Sequence, residues 1–413
     1  MSKKNVYLAS IIGEVLEWYD FSLYSFLTPV FAILFFPKSD SIADVLSVWV
    51  IFAAGFLSRP LGGLLFGWLG DRHGRKVTFF ISLLLMAIST FLMGCLPTYE
   101  SVGFLAPLCL LILRLMQGFS CGGEFSISMI FLSEHATKRN YFFSGSLTWM
   151  GTMIGALMAS FIIMLISLHH DFLMQWGWRI PFFLGGVIAL AGMYLRLKTS
   201  ETPVYLELKK KNEIKQDRWL FIKKHKKIMI KIFLLNAPLA ALSYVGVAFL
   251  PTFLSKFVGM LLNTAFLINT ILIIALIVLI PCCGKLADKI GGVCIYKWAI
   301  ILLMIVTFPV YGLLSYGGSW LAYGLAIVLL AIPGALIKSV TPGISVQLAP
   351  LEDRAVVMSF AYNITYCLLG GTAPLLMSYL IGVTHVFMWP ACYIIFFAIS
   401  SCAMGLSRLP RVQ

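Results

Sequence analysis

A chain of 413 residues in which 60% are hydrophobic and only 12% are charged, with a mean hydropathy of +0.94, lies far from the half-apolar, quarter-charged profile of soluble domains. That composition excludes a soluble enzyme or binding domain and points to a polytopic membrane protein. The net charge of +14 would suit a nucleic-acid partner, but the basic residues stand in short clusters between long apolar runs, which excludes that reading.

A hydrocarbon core of about 30 Å is crossed by roughly 20 helical residues. Twelve runs of that order follow one another, centred on residues 8–35, 43–69, 77–96, 103–134, 141–168, 179–197, 229–256, 263–283, 293–314, 320–348, 355–381 and 386–406. The alternation of a membrane barrel is absent, and runs this long and evenly apolar satisfy their backbone hydrogen bonds as helices. Under this model the basic residues fall on one side: Lys3 and Lys4, Arg72, Arg75 and Lys76, Lys138 and Arg139, the stretch from Arg196 to Lys227, Lys285 and Lys289, Arg354, Arg408 and Arg411. The opposite loops keep little beyond Lys38, Arg179 and Lys256. This asymmetry predicts an integral plasma-membrane protein with both termini in the cytoplasm. The first run is too long and too acidic for a cleavable signal peptide.

That first run contains "IIGEVLEWYDFSLYSF", with Glu14, Glu17 and Asp20 inside the membrane. Each charge there costs about 2.5 to 3.5 kcal/mol on insertion scales, so it requires a partner or a water-filled cavity. Glu17, Asp20 and Tyr24 are three and seven residues apart and share one helical face. The second run carries Arg59 near mid-depth, and the fourth carries a stripe of Arg114, Gln117, Cys121 and Glu124. These acids outnumber the two arginines, so at least one carboxyl group is expected to lack a permanent cation and to change protonation during a transport cycle. Asp20 or Glu17 is the expected proton carrier, with Glu124 a second candidate; Arg59 and Arg114 tune those acids or hold a solute carboxylate. Fixed ion pairs that only lock three helices together are the plainer alternative. Gly118 and Gly122, spaced as GxxxG, read as helix packing.

The polar segment from Lys198 to Lys227 divides the runs six and six and reads as a cytoplasmic linker, with basic residues that suit anionic lipid headgroups. The expected division is an N-terminal bundle over 1–197, a linker over 198–227 and a C-terminal bundle over 228–413. An internal echo supports it: "GWLGDRHGRK" follows the second run and "GKLADKIGG" the eighth, so Gly67, Leu69, Asp71 and Gly74 recur as Gly284, Leu286, Asp288 and Gly291. The expected fold is therefore an all-α membrane protein, twelve transmembrane helices in two six-helix pseudo-symmetric bundles around a central cavity. Gly67 and Gly74 permit close approach and a tight turn, Asp71 can accept from a helix N-terminus, and Arg72 and Arg75 can engage acids, which together with Asp288 predicts a cytoplasmic gate. In the tenth run Lys338 stands alone among apolar residues. It either snorkels to the inner surface or faces the cavity and binds an anionic or zwitterionic solute.

The GxLxDxxGRK loop resembles the signature of the major facilitator superfamily. "EWYDF" (17–21), "RPLGG" (59–63), "RLMQGFSCGGE" (114–124), "WGWRIPFFLG" (176–185), "ETPVY" (201–205) and "GGTAP" (370–374) are similar to its metabolite:proton symporter branch, which includes proline/betaine and α-ketoglutarate carriers. The resemblance spans nearly the whole chain in order and implies the major facilitator fold and proton-driven uptake by alternating access. Tyr362 and Asn363 form a "YN" pair resembling the family's eleventh helix, so they and Tyr24 join Arg59, Arg114, Gln117 and Lys338 as expected solute contacts. Trp149 and Gln347 stand where osmolyte carriers of the branch tend to carry acids.

The expected function is proton-coupled import of a small organic acid or zwitterion, by a monomer whose partners are the solute, the proton and membrane lipid, not nucleic acid. No cofactor is expected: no phosphate-binding GxxxxGK[ST] loop is present, and the nine cysteines form no CxxC pair for a metal. A major facilitator exporter or antiporter and a transporter-like solute sensor are the alternatives, and no set of residues for an intramembrane enzyme is evident.

Overall fold

The computed structural model describes residues 3–37, 41–73, 75–197, 220–316, 318–350 and 354–402, and among them every regular element is a helix. In the first half α1 runs over Lys3–Phe26 and resumes, after a break at Leu27, as Thr28–Leu34, with Pro29 in its opening turn. It is followed by α2 (Ser41–His73), α3 (Arg75–Gly94), α4 (Leu105–Cys121 and Glu124–His135), α5 (Tyr141–Ser167) and α6 (Ile180–Leu197). In the second half α7 begins at Leu220–Ser243, and α8 (Leu262–Ile290), α9 (Gly292–Tyr316), α10 (Trp320–Leu348), α11 (from Arg354–Thr365 to Ala373–Thr384) and α12 (Trp389–Cys402) complete the set. The expected linker falls on 198–219, outside the described residues, and on 220–227, which already belong to α7.

Length and hydropathy alone qualify seven of these helices as membrane spans, and four shorter apolar helices accompany them among the described residues. The first helix is excluded from such a count by its own sequence, since Glu14, Glu17 and Asp20 load one span with three acids. Charge is therefore concentrated where lipid cannot explain it.

Packing follows a rule that repeats when six is added to each number. Helix α1 packs on α5 and α7 on α11; α2 packs on α4 and α8 on α10; α3 packs on α6 and α9 on α12. Between the halves, α5 meets α8 and α2 meets α11, a symmetry-related pair of seams. Small residues bring the backbones together where α2 crosses α4. A Cβ on Gly118 would overlap the Gly55 carbonyl, and one on Gly62 would overlap the Phe119 backbone, so this crossing tolerates only glycine. The packing role read for Gly118 and Gly122 in the sequence is what these contacts serve.

Two helices depart from regular α geometry. In α7 a wide π-turn spans Tyr244–Ala248 and another Phe253–Phe257; in α11 one spans Tyr366–Gly371. Such turns shift the register of the side chains that follow and cluster at functional sites. Both the first wide turn of α7 and that of α11 open on a tyrosine that faces the space between the bundles.

Candidate functional site

Three helices of the first bundle assemble a hydrogen-bonded chain around Asp20. The Thr90 hydroxyl of α3 donates to Asp20 Oδ2 at 3.0 Å, Gln117 Nε2 of α4 donates to Thr90 Oγ1 at 2.8 Å, and Arg114 Nη1 donates to Gln117 Oε1 at 2.9 Å. The other carboxylate oxygen, Oδ1, lies against Gly185 of α6, where an added Cβ would stand 2.5 Å away. Asp20 is 2% exposed, so a carboxyl group at the heart of the bundle is held by a neutral hydroxyl and reaches a guanidinium only through two intermediaries. Among the described residues Asp20 is therefore a carboxyl group with no direct guanidinium partner. The reason is geometric: it points between α3 and α6, away from the arginines.

Glu17 differs from Asp20 in approaching an arginine directly. Its Oε1 lies 3.6 Å from Arg59 Nη2, with both side chains buried. The Arg59 guanidinium is also sandwiched by Phe21 and Phe56, at 5.1 and 5.0 Å from the ring centroids. Arg114 has no ion-pair partner among the described residues; instead its guanidinium lies 4.2 Å from the Phe21 ring, 4.6 Å from Tyr24 and 4.8 Å from Phe52. Gly55 leaves room for the stem of Arg114 beside α2. Arg59 Nε and Nη1 and Arg114 Nε and Nη2 are buried donors with no hydrogen-bond acceptor among the described residues. Buried donors of this kind carry a desolvation cost that an anionic ligand relieves. Glu14 is buried as well, with its Cβ against Gly151 of α5.

Between the bundles the side chains form a continuous aromatic wall. Tyr244 lies 5.1 Å from Phe56 and 6.0 Å from Tyr366; Tyr366 stacks on Tyr362 at 4.2 Å; Tyr362 stacks on Phe125 at 4.9 Å; and Phe125 meets Trp149 at 5.2 Å. At the far end of this wall is Lys338. Its ammonium lies 3.9 Å from the Trp149 ring centroid and donates to Ser243 Oγ at 2.6 Å. Lys338 is fully buried, so of the two sequence readings the snorkelling one is excluded in this conformation. Trp149 thus receives a cation from the opposite bundle.

The two bundles also touch at both membrane faces. On the side of the α2–α3 and α8–α9 loops, Asp288 of α8 accepts from the amides of Phe142 and Phe143 at 2.7 and 3.1 Å, capping α5. Nearby, Tyr141 donates to the Gly343 carbonyl at 3.2 Å, and the Asn363 amide donates to the carbonyls of Gly122 and Ser359. Towards the other side the hydroxyls of Ser160 and Thr270 share a hydrogen bond of 2.8 Å, and Phe26 meets Phe266 at 6.0 Å.

Of the residues singled out in the sequence, Glu17, Arg59, Arg114 and Tyr362 thus gather around the wall, and Asp20 and Gln117 join through Thr90. The Tyr24 hydroxyl donates to the Val48 carbonyl at 3.0 Å and the Asn363 amide to backbone carbonyls, so these donors are engaged within the protein in this conformation. The side chains of Glu124, Asp71, Arg72 and Arg75, and the whole of Gly74, lie outside the described residues; Gly67 is within α2. Sequence reasoning missed Thr90, Ser243, Tyr244 and Tyr366. Thr90 follows Ser89 in an otherwise apolar run, and Tyr366 lies four residues after Tyr362 on one face, signals visible in retrospect.

A family model described as sugar (and other) transporter matches residues 6–233, more than half of the chain. The chain belongs to this transporter family of the major facilitator superfamily. Over 96% of its length it is 30% identical to the glycine betaine/proline/ectoine/pipecolic acid transporter OusA of Dickeya dadantii (strain 3937), covering 81% of that protein. It is 32% identical to the alpha-ketoglutarate permease of Escherichia coli (strain K12), covering 91% of this chain and 88% of the permease. A putative proline/betaine transporter of Staphylococcus haemolyticus (strain JCSC1435) is 33% identical over 95% of this chain and 84% of the relative. Among solved structures the fold is similar to the proton:xylose symporter XylE bound to 6-bromo-6-deoxy-D-glucose, with a TM-score of 0.79 at 16% identity over 99% of this chain and 96% of that one. A D-xylose-proton symporter gives a TM-score of 0.75 at 19% identity, covering 100% and 99% of the two chains. The transporter is a multi-pass membrane protein with the twelve-helix fold, and its relatives are transporters rather than enzymes.

Proposed function

We propose that the transporter imports a small organic acid or zwitterionic solute, of the dicarboxylate or proline/betaine type, together with protons. Asp20 carries this reading. A buried carboxyl group without a guanidinium clasp is free to gain and lose a proton, whereas an ion-paired one keeps its charge. Through Thr90 and Gln117 its state reaches Arg114, whose free donors lie beside the aromatic wall. Protonation of Asp20 on one side of the membrane would thereby reset the group that receives the solute.

In this reading Arg59, Arg114, Lys338 and Tyr362 receive the solute, while Tyr24 and Gln117 hold and orient Arg114. The Glu17–Arg59 pair sets the charge beside the wall, and Glu17 and Glu124 are the further proton sites. Asp288, with Asp71, Arg72, Arg75, Gly67 and Gly74 of the companion loop, forms the inner gate. Asn363 belongs with that gate rather than with the solute. The bacterial relatives support an inner-membrane location, the charge asymmetry of the loops supports cytoplasmic termini, and in this reading the transporter acts as a monomer surrounded by lipid. The printed functions of the relatives support both solute classes.

Purified protein in liposomes, offered amino acids, betaines, dicarboxylates and tricarboxylates with and without an acid-outside gradient, tests the proposal. A gradient that drives accumulation of one solute class supports it; accumulation unaffected by the gradient removes it. Loss of preloaded solute driven by inward proton flow would instead establish the exporter alternative.

A further inference from the structure

The two ends of the aromatic wall carry cations from opposite bundles. Arg59 and Arg114 belong to the first bundle, with buried donors that find no acceptor among the described residues. Lys338 belongs to the second, and the partners described for its ammonium are a hydroxyl and a ring face. No acid pairs with Lys338 among the described residues. A buried ammonium without an anion is costly, and the expense is recovered only if an anion arrives. A cation seated on the face of a tryptophan is also a contact by which quaternary ammonium groups are recognised. Here the protein's own side chain already fills that seat.

We infer that Lys338 is a tethered cation occupying the seat an onium group would take on the Trp149 ring, so that the transporter takes small dicarboxylates and rejects betaines. One carboxylate of the solute meets Lys338 and the other meets the free edges of Arg114 and Arg59, so a single ligand draws the two bundles together. A betaine supplies one carboxylate and brings a trimethylammonium group whose place on Trp149 is taken and whose charge repels Lys338. The inference rests on the transport reading above and names its substrate class. It also distinguishes this chain from relatives whose names include betaine.

The test uses the full chain, first in detergent. Succinate and α-ketoglutarate are expected to raise the melting temperature of the wild-type protein, and glycine betaine is not. In liposomes, about a hundredfold excess of glycine betaine is expected to leave dicarboxylate uptake unchanged. Lys338→Met removes the charge while keeping an unbranched chain; it is expected to lose at least about tenfold in dicarboxylate affinity and to gain stabilisation by glycine betaine on the vacated ring. Lys338→Arg is expected to retain dicarboxylate binding. Stabilisation of the wild-type protein by glycine betaine as strong as by the dicarboxylates, or unchanged dicarboxylate affinity in Lys338→Met, overturns the inference while leaving a transporter of another solute. Should Lys338→Met fail to fold, the wild-type binding comparison decides alone. A wild-type protein that neither binds nor accumulates any solute of the panel overturns the transport reading, and this inference with it.

Discussion

Asp288 in the second bundle caps a helix of the first, accepting the Phe142 amide at 2.7 Å and the Phe143 amide at 3.1 Å. The first turn of a helix leaves amides without intrahelical acceptors and carries a partial positive charge, so a carboxylate there satisfies both. Because Asp288 sits on α8 and the amides on α5, the cap exists only while these helix ends are together. Asp288 repeats Asp71 in the internal echo, and α2 meets α11 as α8 meets α5.

Loss of such a cap costs about 0.5 to 2 kcal/mol. Replacing Asp288 with Ala is therefore expected to shift the population toward an inner-open form by about fivefold, using about 1 kcal/mol for the cap. Labelling of a cysteine introduced at Ser146, which lies against Gly284 across the same seam, measures the shift. Unchanged labelling would mean that the cap follows closure without stabilising it.

The chain from Arg114 to Asp20 predicts a distinction among substitutions of one residue. Thr90→Ser keeps a hydroxyl that both accepts from Gln117 and donates to Asp20; Thr90→Val keeps the shape and removes both bonds. The expected result is near-normal gradient-driven uptake in the serine variant and at least about a tenfold loss in the valine variant, with solute exchange in the absence of a gradient retained in both. Equal loss of uptake and exchange in the valine variant would assign Thr90 to folding alone.

The fold was largely legible in the amino-acid sequence because bilayer thickness makes most spans long apolar runs, and the Asp71/Asp288 echo marks a repeat between the two halves. The site was legible only in part. Charges inside a span advertise themselves, so Glu17, Asp20, Arg59, Arg114 and Lys338 stood out. Which of them meet depends on how each helix is rotated about its axis, and the rotation of α1 decides that Asp20 meets Thr90 rather than Arg114. Tyr244 and Tyr366 were hidden for a further reason: aromatic residues are common in spans, and only the wide turns of α7 and α11 aim these two at the central wall.

The Gly118–Gly55 contact predicts a stability effect away from the site. Adding one methyl group in Gly118→Ala places it against the Gly55 carbonyl, with no flexible side chain to move aside, and is expected to cost about 1 to 3 kcal/mol. Thermal unfolding in detergent should show a lower melting temperature than for Gly312→Ala, a position on α9 where a Cβ meets nothing within 4 Å. Equal melting temperatures would contradict the close crossing of α2 and α4.

The Glu17–Arg59 pair is suited to a double-mutant cycle. Removing one member of a buried pair leaves the other uncompensated, at a cost of about 3 to 5 kcal/mol, whereas neutralising both relieves much of that penalty. Glu17→Gln and Arg59→Met are each expected to be less stable than the double variant. Simple additivity of the two losses would indicate that the 3.6 Å approach carries no coupling.

The central claim is that Asp20 takes a proton through the cycle, and the most direct measurement is proton movement itself. Liposomes containing the purified protein and an internal pH-sensitive dye, with no imposed gradient, are given an outside-only dicarboxylate. The account predicts that wild-type vesicles acidify inside as the solute enters, and that Asp20→Asn vesicles exchange labelled solute without moving protons. Solute entry into wild-type vesicles with no internal acidification, or undiminished acidification in Asp20→Asn, would contradict it.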